Sequence, residues 1–259
     1  MIYLKTYFYV EHEIQFLSIN LKEAYDHIDK FIICEFNRTH TGRPREFLNK
    51  ESVLSKLPQD LIDKVVYLQC DISNIAVEAY ENEAAIHNVN EPVMRSAFMK
   101  LINLNDDDIV ISVDADEIIY NESYNKIINE VNSHSCIQIK LRQFFYKTTY
   151  LWKEKDFIAP TAAKYSVFKN SFPCNWRYEG KLLSDYHGCH FSWCMSPSEM
   201  VYKLHTYSHP KYRFCADENL LKDAIENKLY PFDDGTDFNI EELELTDLRM
   251  PKSMRKNNE

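Results

Sequence analysis

Glycine is scarce in this chain: there are four in 259 residues, Gly42, Gly180, Gly188 and Gly235, and no two lie close together. A dinucleotide fingerprint or a P-loop needs clustered glycines so that backbone amides can close on phosphate, and neither can be built here. If the protein handles a nucleotide diphosphate, a metal ion must stand in for the glycine cradle. Other absences narrow the field further. No Lys/Arg block interrupts a formal net charge of −10, which argues against nucleic acid as a partner. No apolar run approaches the roughly 20 residues of a membrane span. The seven cysteines form no CxxC pair, and their odd number supports neither a disulfide framework nor a zinc knuckle. A reduced, cytoplasmic compartment fits that usage best. The opening MIYLKTYFYVEHE lacks the charged and apolar regions of a signal peptide and reads as a first strand.

What is present is apolar mass. At 45% hydrophobic residues the chain can bury one sizeable core. Residues 2–9 suit a strand, and Ile14, Leu17, Leu21, Tyr25 and Ile28 then recur at helical spacing. FIICEF (31–36) and VVYLQC (65–70) are further strands, separated by a loop, NRTHTGRP (37–44). A long helical pattern over 76–104 carries Arg95, Phe98 and Leu101 and ends at NDDD (105–108). This alternation predicts a single α/β domain over residues 1–240, with a mostly parallel central sheet flanked by helices. CIQIKLRQFFYK (136–147), AAKYSVFK (162–169) and HGCHFSW (187–193) read as added strands, and 197–208 and 216–229 as helices. Residues 241–259 turn polar and read as a tail.

The chemistry concentrates at IVISVDADEIIY (109–120), where a strand buried on both faces runs into three acids. In open α/β sheets ligands bind at the carboxyl ends of strands. If the backbone stays extended, Asp114 and Asp116 point to one side and can share one ion. Hard oxygen ligands suit Mg²⁺ or Mn²⁺, commonly together with substrate phosphates. The plainer reading makes Asp114 a turn residue and Asp116 or Glu117 the cap of a following helix.

DADE (114–117) resembles the DxD motif of glycosyltransferase family 17, the group containing the bisecting β-1,4-N-acetylglucosaminyltransferase. Three more stretches match in the family's order. They are EFNRTHTGRP (35–44), Arg95 in the helix before DxD, and GCHFSWCMSPSEMVYKL (188–204), with Cys189 where tryptophan is usual. The resemblance spans roughly residues 7–235. It implies a GT-A-type fold, a nucleotide-sugar donor (UDP-N-acetylglucosamine), a glycan or glycoconjugate acceptor, and inversion at the anomeric carbon. Asp114 and Asp116 would hold the metal, with His190 completing its shell and His209 in reserve. Arg95 would meet a phosphate or the DxD acids, and Glu35, Asn37 and Arg38 the nucleoside or sugar, while Thr39-His40-Thr41-Gly42 is either a tight loop or part of the site. Inversion needs a base for the acceptor hydroxyl. Among Glu179, Asp185 and Glu199, the last is favoured for its place in the matched segment, although the first turn of a helix would equally explain it. His205 is expected to lie away from the metal. Trp176, Trp193 and Tyr202 are either a sugar-stacking face or aromatic core. Two other classes remain open: a metal-dependent phosphotransferase or hydrolase, and a carbohydrate-binding protein without catalysis.

Overall fold

Neither IYLKTYF nor KFIICEF has a polar side, so both must lie inside a sheet covered on its two faces. They form β1 (Ile2–Phe8) and β2 (Lys30–Phe36), parallel and in register from Tyr3↔Lys30 to Phe8↔Glu35. The structure is a computed structural model that describes residues 1–80, 82–232 and 235–256. Between the two strands α1 (Ile14–Ala24) buries Ile14, Leu17 and Leu21 against the sheet. The helical spacing runs on to Ile28, but the α-helix stops at Ala24, followed by a 3-10 turn, and Ile28 is already extended. After α2 (Lys50–Ser55), capped by Asn49 accepting from the amide of Ser52 at 2.9 Å, β3 (Val65–Cys70) pairs parallel to β2. The expected helix before the acids is segmented: α3 (Glu83–Ala85), a π-turn over Ile86–Asn90, α4 (Glu91–Ser96) and a 3-10 turn over Ala97–Lys100. Next, β4 (Ile109–Ser112) pairs parallel to β1.

The second half departs from the expected parallel sheet. It comprises β5 (Glu117–Ile119), α5 (Tyr124–His134), β6 (Cys136–Phe145), β7 (Tyr150–Lys164), α6 (Tyr165–Phe168), β8 (Lys181–Ser192), α7 (Pro197–Thr206), α8 (Glu218–Glu226) and β9 (Ile240–Glu242). The strand order is β3-β2-β1-β4-β7-β6-β8-β5, with β9 on β7. Pairs β4–β7, β6–β7, β5–β8 and β7–β9 are antiparallel, so the sheet is mixed. The cause is a hairpin, which returns the chain antiparallel where a parallel partner would need a long crossover. Its turn carries no glycine signal, because Tyr146 itself takes the left-handed conformation at φ 68. AAKYSVFK is likewise not one strand: β7 ends at Lys164 and Tyr165 begins α6.

Three glycines are fixed by crowding, Gly42, Gly180 and Gly188, two of them most tightly. A Cβ at Gly42, at φ +80, would fall 2.0 Å from the carbonyl oxygen of Val77. One at Gly188 would fall 2.0 Å from the carbonyl oxygen of Ile118, where β8 crosses β5.

The stretch from 241, read as a tail, is packed as far as it is described. The proposed boundary at 240 falls inside β9, and Leu243 and Met250 are buried. Its polarity is internally satisfied: Arg249 pairs with Glu241 at 2.7 Å and Asp247 at 2.8 Å, while its carbonyl accepts from the Tyr120 hydroxyl at 2.6 Å. Residues 257–259 of the expected tail lie outside the described residues. Among the described residues no helix is long and apolar enough to cross a membrane.

Candidate active site

The amide of Val113 still bonds to the carbonyl of Lys5 at 3.0 Å, so the chain leaves the sheet at Asp114. The backbone then turns rather than staying extended, closed by the Glu117 amide on the carbonyl of Asp114 at 3.0 Å and held from α1 by Asn20 donating to the carbonyl of Ala115 at 2.9 Å. This corrects the expectation that Asp114 and Asp116 share one side of a strand. Glu117 caps no helix; it starts β5. The two aspartates face one cleft of about 640 Å³ and meet different partners there.

Asp114 belongs to a chain of buried charges. Its Oδ1 accepts from Arg95 at 3.0 Å and its Oδ2 from Arg177 at 2.5 Å. Arg95 also binds Glu91 at 2.6 Å, and Arg177 binds Glu117 at 2.5 Å. Burial alone would raise the Asp114 carboxyl, but Arg177 and Arg95 overwhelm it and hold it well below the usual range. For Glu117 the balance goes the other way, and burial pushes it up despite Arg177.

Asp116 faces β8 and α7. The Lys203 ammonium lies 3.5 Å from its Oδ2 and 3.6 Å from Glu13 Oε1. On the other side His190 Nε2 is 3.7 Å from its Oδ1. The tautomer of His190 follows from its neighbours. Gln143 donates its Nε2 to the carbonyl of Phe144 at 3.1 Å, which turns its Oε1 toward His190 Nδ1 at 2.9 Å. Nδ1 therefore carries the proton, and burial lowers the imidazole to about 4, so Nε2 is a bare lone pair at neutral pH. A lone pair facing a carboxylate oxygen is a pair of acceptors with no donor between them, which is a donor set for a cation. The carboxamide behind the imidazole is the kind of outer contact that orients a metal-binding histidine. Phe157, its ring centroid 3.7 Å from that of His190, covers the site.

A family description matches residues 7–252 of the chain: glycosyltransferase family 17. The chain belongs to that family. The family 17 chain is also similar to solved structures, at low identity. Over 87% of this chain and 73% of the other it resembles the crystal structure of S. aureus TarS 1-349, with 9% identity and a TM-score of 0.42. Over 70% of this chain and 87% of the other it resembles 4-diphosphocytidyl-2C-methyl-D-erythritol synthase, with 11% identity and a TM-score of 0.37. No curated protein sequence matches it. Family membership makes the protein a glycosyltransferase, acting between a sugar donor and a glycan acceptor.

Within this family 17 fold, Asp114, Asp116, Arg95 and His190 come together in the cleft, joined by His40 and Trp193. Other expected residues are engaged elsewhere. Glu35 is fully buried and accepts from Arg45 at 3.0 Å, the Leu48 amide at 2.7 Å and the Tyr67 hydroxyl at 2.7 Å, so its carboxylate ties β2 to β3. Asn37 bonds to Asp71 at 2.8 Å and Ser73 at 2.9 Å, and Arg38 reaches the carbonyl of Gly42 at 3.4 Å. These contacts build the loop. Glu199 forms a capping box with Ser196, accepting from its amide at 2.8 Å and its hydroxyl at 2.6 Å. Those bonds pull its carboxyl below the ordinary value against the effect of burial, which makes it a poor base, and it lines a neighbouring cavity instead. Asp185 pairs with Lys126 at 2.7 Å on the surface. His205 bonds to Tyr80 at 3.1 Å, away from Asp116. Trp176 is core, packed on Phe98 and Phe168, and Tyr202 is exposed beside another cavity.

Sequence reasoning missed Arg177, Lys203, Glu13 and Gln143. Arg177 and Gln143 carried no motif. Lys203 stood inside the matched segment, four residues after the glutamate that drew attention, and one helical turn is enough to bring it to Asp116.

Proposed function

We propose that this glycosyltransferase moves N-acetylglucosamine from UDP-N-acetylglucosamine to a glycan hydroxyl with inversion, using a divalent cation, Mn²⁺ or Mg²⁺, held by Asp116 and His190. The observation that carries the reading is the acceptor pair of Asp116 Oδ1 and His190 Nε2, 3.7 Å apart in the cleft that Arg95 and Arg177 also line. When bound, the cation supplies Lewis-acid stabilisation of the leaving diphosphate. The chain's own residues do the rest. Arg95 and Arg177 present guanidinium edges already fixed by Asp114, Glu91 and Glu117, so charge developing on the diphosphate meets donors that need no reorganisation. Lys203 adds a point charge beside Asp116. Asp114 is an anchor for the arginines in this arrangement, because both of its oxygens are occupied.

Glu13 replaces Glu199 as the proposed base. Burial lifts its carboxyl to about 8, with Lys203 opposing, and it lines the cleft; its ionised form, which dominates only above that value, would take the acceptor proton, so transfer should rise with pH toward 8. Tyr178, 77% exposed and lining the cleft, offers a flat face for a sugar ring, whereas Trp193 is buried against Tyr207 and Phe232. The donor identity rests on family membership. The test is a panel of UDP and GDP sugars with Mn²⁺, Mg²⁺ or chelator, reading nucleotide release with a glycan acceptor and the anomeric configuration of the product by NMR. Metal-dependent transfer from UDP-N-acetylglucosamine with inversion is expected; undiminished transfer in chelator, or a retained configuration, overturns the mechanism.

A further inference from the structure

At one side of the cleft a second donor set gathers, made of two imidazoles and one carboxylate. Glu83, His87 and His209 each bring one ligand atom within 4.8 Å of the other two. Glu83 Oε1 is 2.9 Å from His209 Nδ1 and 3.5 Å from His87 Nε2. Ligand atoms about 2.1 Å from a tetrahedral zinc lie ~3.4 Å from one another, so the two spacings bracket the required value. We infer that Glu83, His87 and His209 form a site for a zinc-class divalent cation, distinct from the Asp116–His190 pair.

A second observation points the same way. His87 Nδ1 bonds to Glu91 Oε2 at 2.8 Å, which leaves Nε2 as the atom turned toward Glu83 and His209. A carboxylate behind a histidine, holding the far nitrogen, is the outer arrangement of metal-binding imidazoles. Glu91 in turn holds Arg95, which holds Asp114. His87 lies in the π-turn, whose wider coil separates it from an ordinary helical register. His209 arrives from the far end of the chain, at the N-terminal edge of the 3-10 turn Pro210–Cys215, with its ring edge-on to Tyr207. Two imidazoles and one carboxylate select zinc or a neighbouring transition metal over Mg²⁺, and three protein ligands leave a position open. His87 and His209 both line the cleft, so that position faces the ligand space. The inference does not depend on which sugar is transferred.

The experiment uses the full chain carrying Asp116→Asn, which weakens the other pair, stripped with chelator and titrated with Zn²⁺ by calorimetry. Co²⁺ serves as a visible-absorption probe of nitrogen coordination, and Mg²⁺ as competitor. One equivalent of Zn²⁺ is expected, undisturbed by millimolar Mg²⁺. Adding His209→Ala, at a half-exposed side chain, or Glu83→Gln should weaken binding at least tenfold with the melting temperature of the metal-free protein unchanged. Glu91→Gln should weaken it 10–100-fold through the orientation of His87. No saturable Zn²⁺ binding in the Asp116→Asn chain, or equal binding after His209→Ala and Glu83→Gln, overturns the site and leaves the trio as an ion-pair cluster.

Discussion

Lys5 sits in the middle of β1 with no solvent exposure, and its Nζ has no hydrogen-bond partner among the described residues. The rings of Tyr7, 4.6 Å away, and Phe98, 5.7 Å away, are its main company. Burial lowers its pKa from 10.5 to about 8. A lysine so depressed binds fewer protons folded than unfolded between pH 8 and 10.5. Stability therefore rises with pH across that window and is lowest below it. The gap between 10.5 and about 8, at about 1.4 kcal/mol per unit, amounts to roughly 3 kcal/mol at pH 7. Lys5→Met keeps the unbranched shape and removes the charge, so it should stabilise the fold by 2–3 kcal/mol, as an order of magnitude, at pH 7. The assay is urea unfolding followed by circular dichroism, for both proteins, at half-unit steps from pH 7 to 10. Tyrosine titrations are common to both and drop out of the difference; Cys34 and Cys70 feel the Lys5 charge, so both proteins carry Cys34→Ser and Cys70→Ser. The difference should shrink toward zero by pH 10. A pH-independent difference, or a less stable Lys5→Met at pH 7, would refute the reasoning and assign the ammonium a stabilising role.

Arg177→Met should cost about 3–5 kcal/mol, because it strands Glu117, whose side chain is 1% exposed, beside a half-paired Asp114; a urea midpoint near wild type would sink this. Arg177→Lys should recover only part of the loss, since one ammonium cannot fork to two carboxylates as the guanidinium does; full recovery would show that charge alone matters. Asp116→Asn and His190→Ala should each lower transfer at least 100-fold, about 3 kcal/mol of barrier, with the far-UV spectrum unchanged; steady-state rates near wild type would remove the metal pair from the mechanism. Glu199→Gln should lower stability by about 1 kcal/mol or less and leave transfer intact, and a dead but folded variant would return Glu199 to the reaction.

The parallel half of the fold was legible because its strands are apolar on both faces and its helices keep one apolar stripe. The hairpin half was not, since Tyr146 turns the chain without the glycine or asparagine that usually marks such a turn. In the site, the strand-end acids showed their chemistry by crowding like charges, and Arg95 and His190 came with the family resemblance. Arg177 could not be found, because it lies 63 residues beyond Asp114 and meets it only through the packing of the 3-10 turn Asn175–Tyr178. Glu199 shows the opposite failure. A serine three residues before a glutamate is a capping box, and that local bond decided its fate before any substrate could.

Gly188 has a consequence for how this protein can change its sequence. The strand carrying His190 is laid against the strand that follows Asp116 in close backbone contact: Phe191 donates its amide to the carbonyl of Asp116 at 2.8 Å, and Gly188 leaves no gap for a Cβ beneath Ile118. The separation of the two backbones that carry the cation-facing groups is therefore set by peptide geometry, while Gln143 and Lys203 contact the side chains themselves. A single added methyl group at position 188 would part the strands and carry the two groups with them. The tolerance of the site to mutation is thus close to nil at one glycine that contacts no ligand-facing side chain.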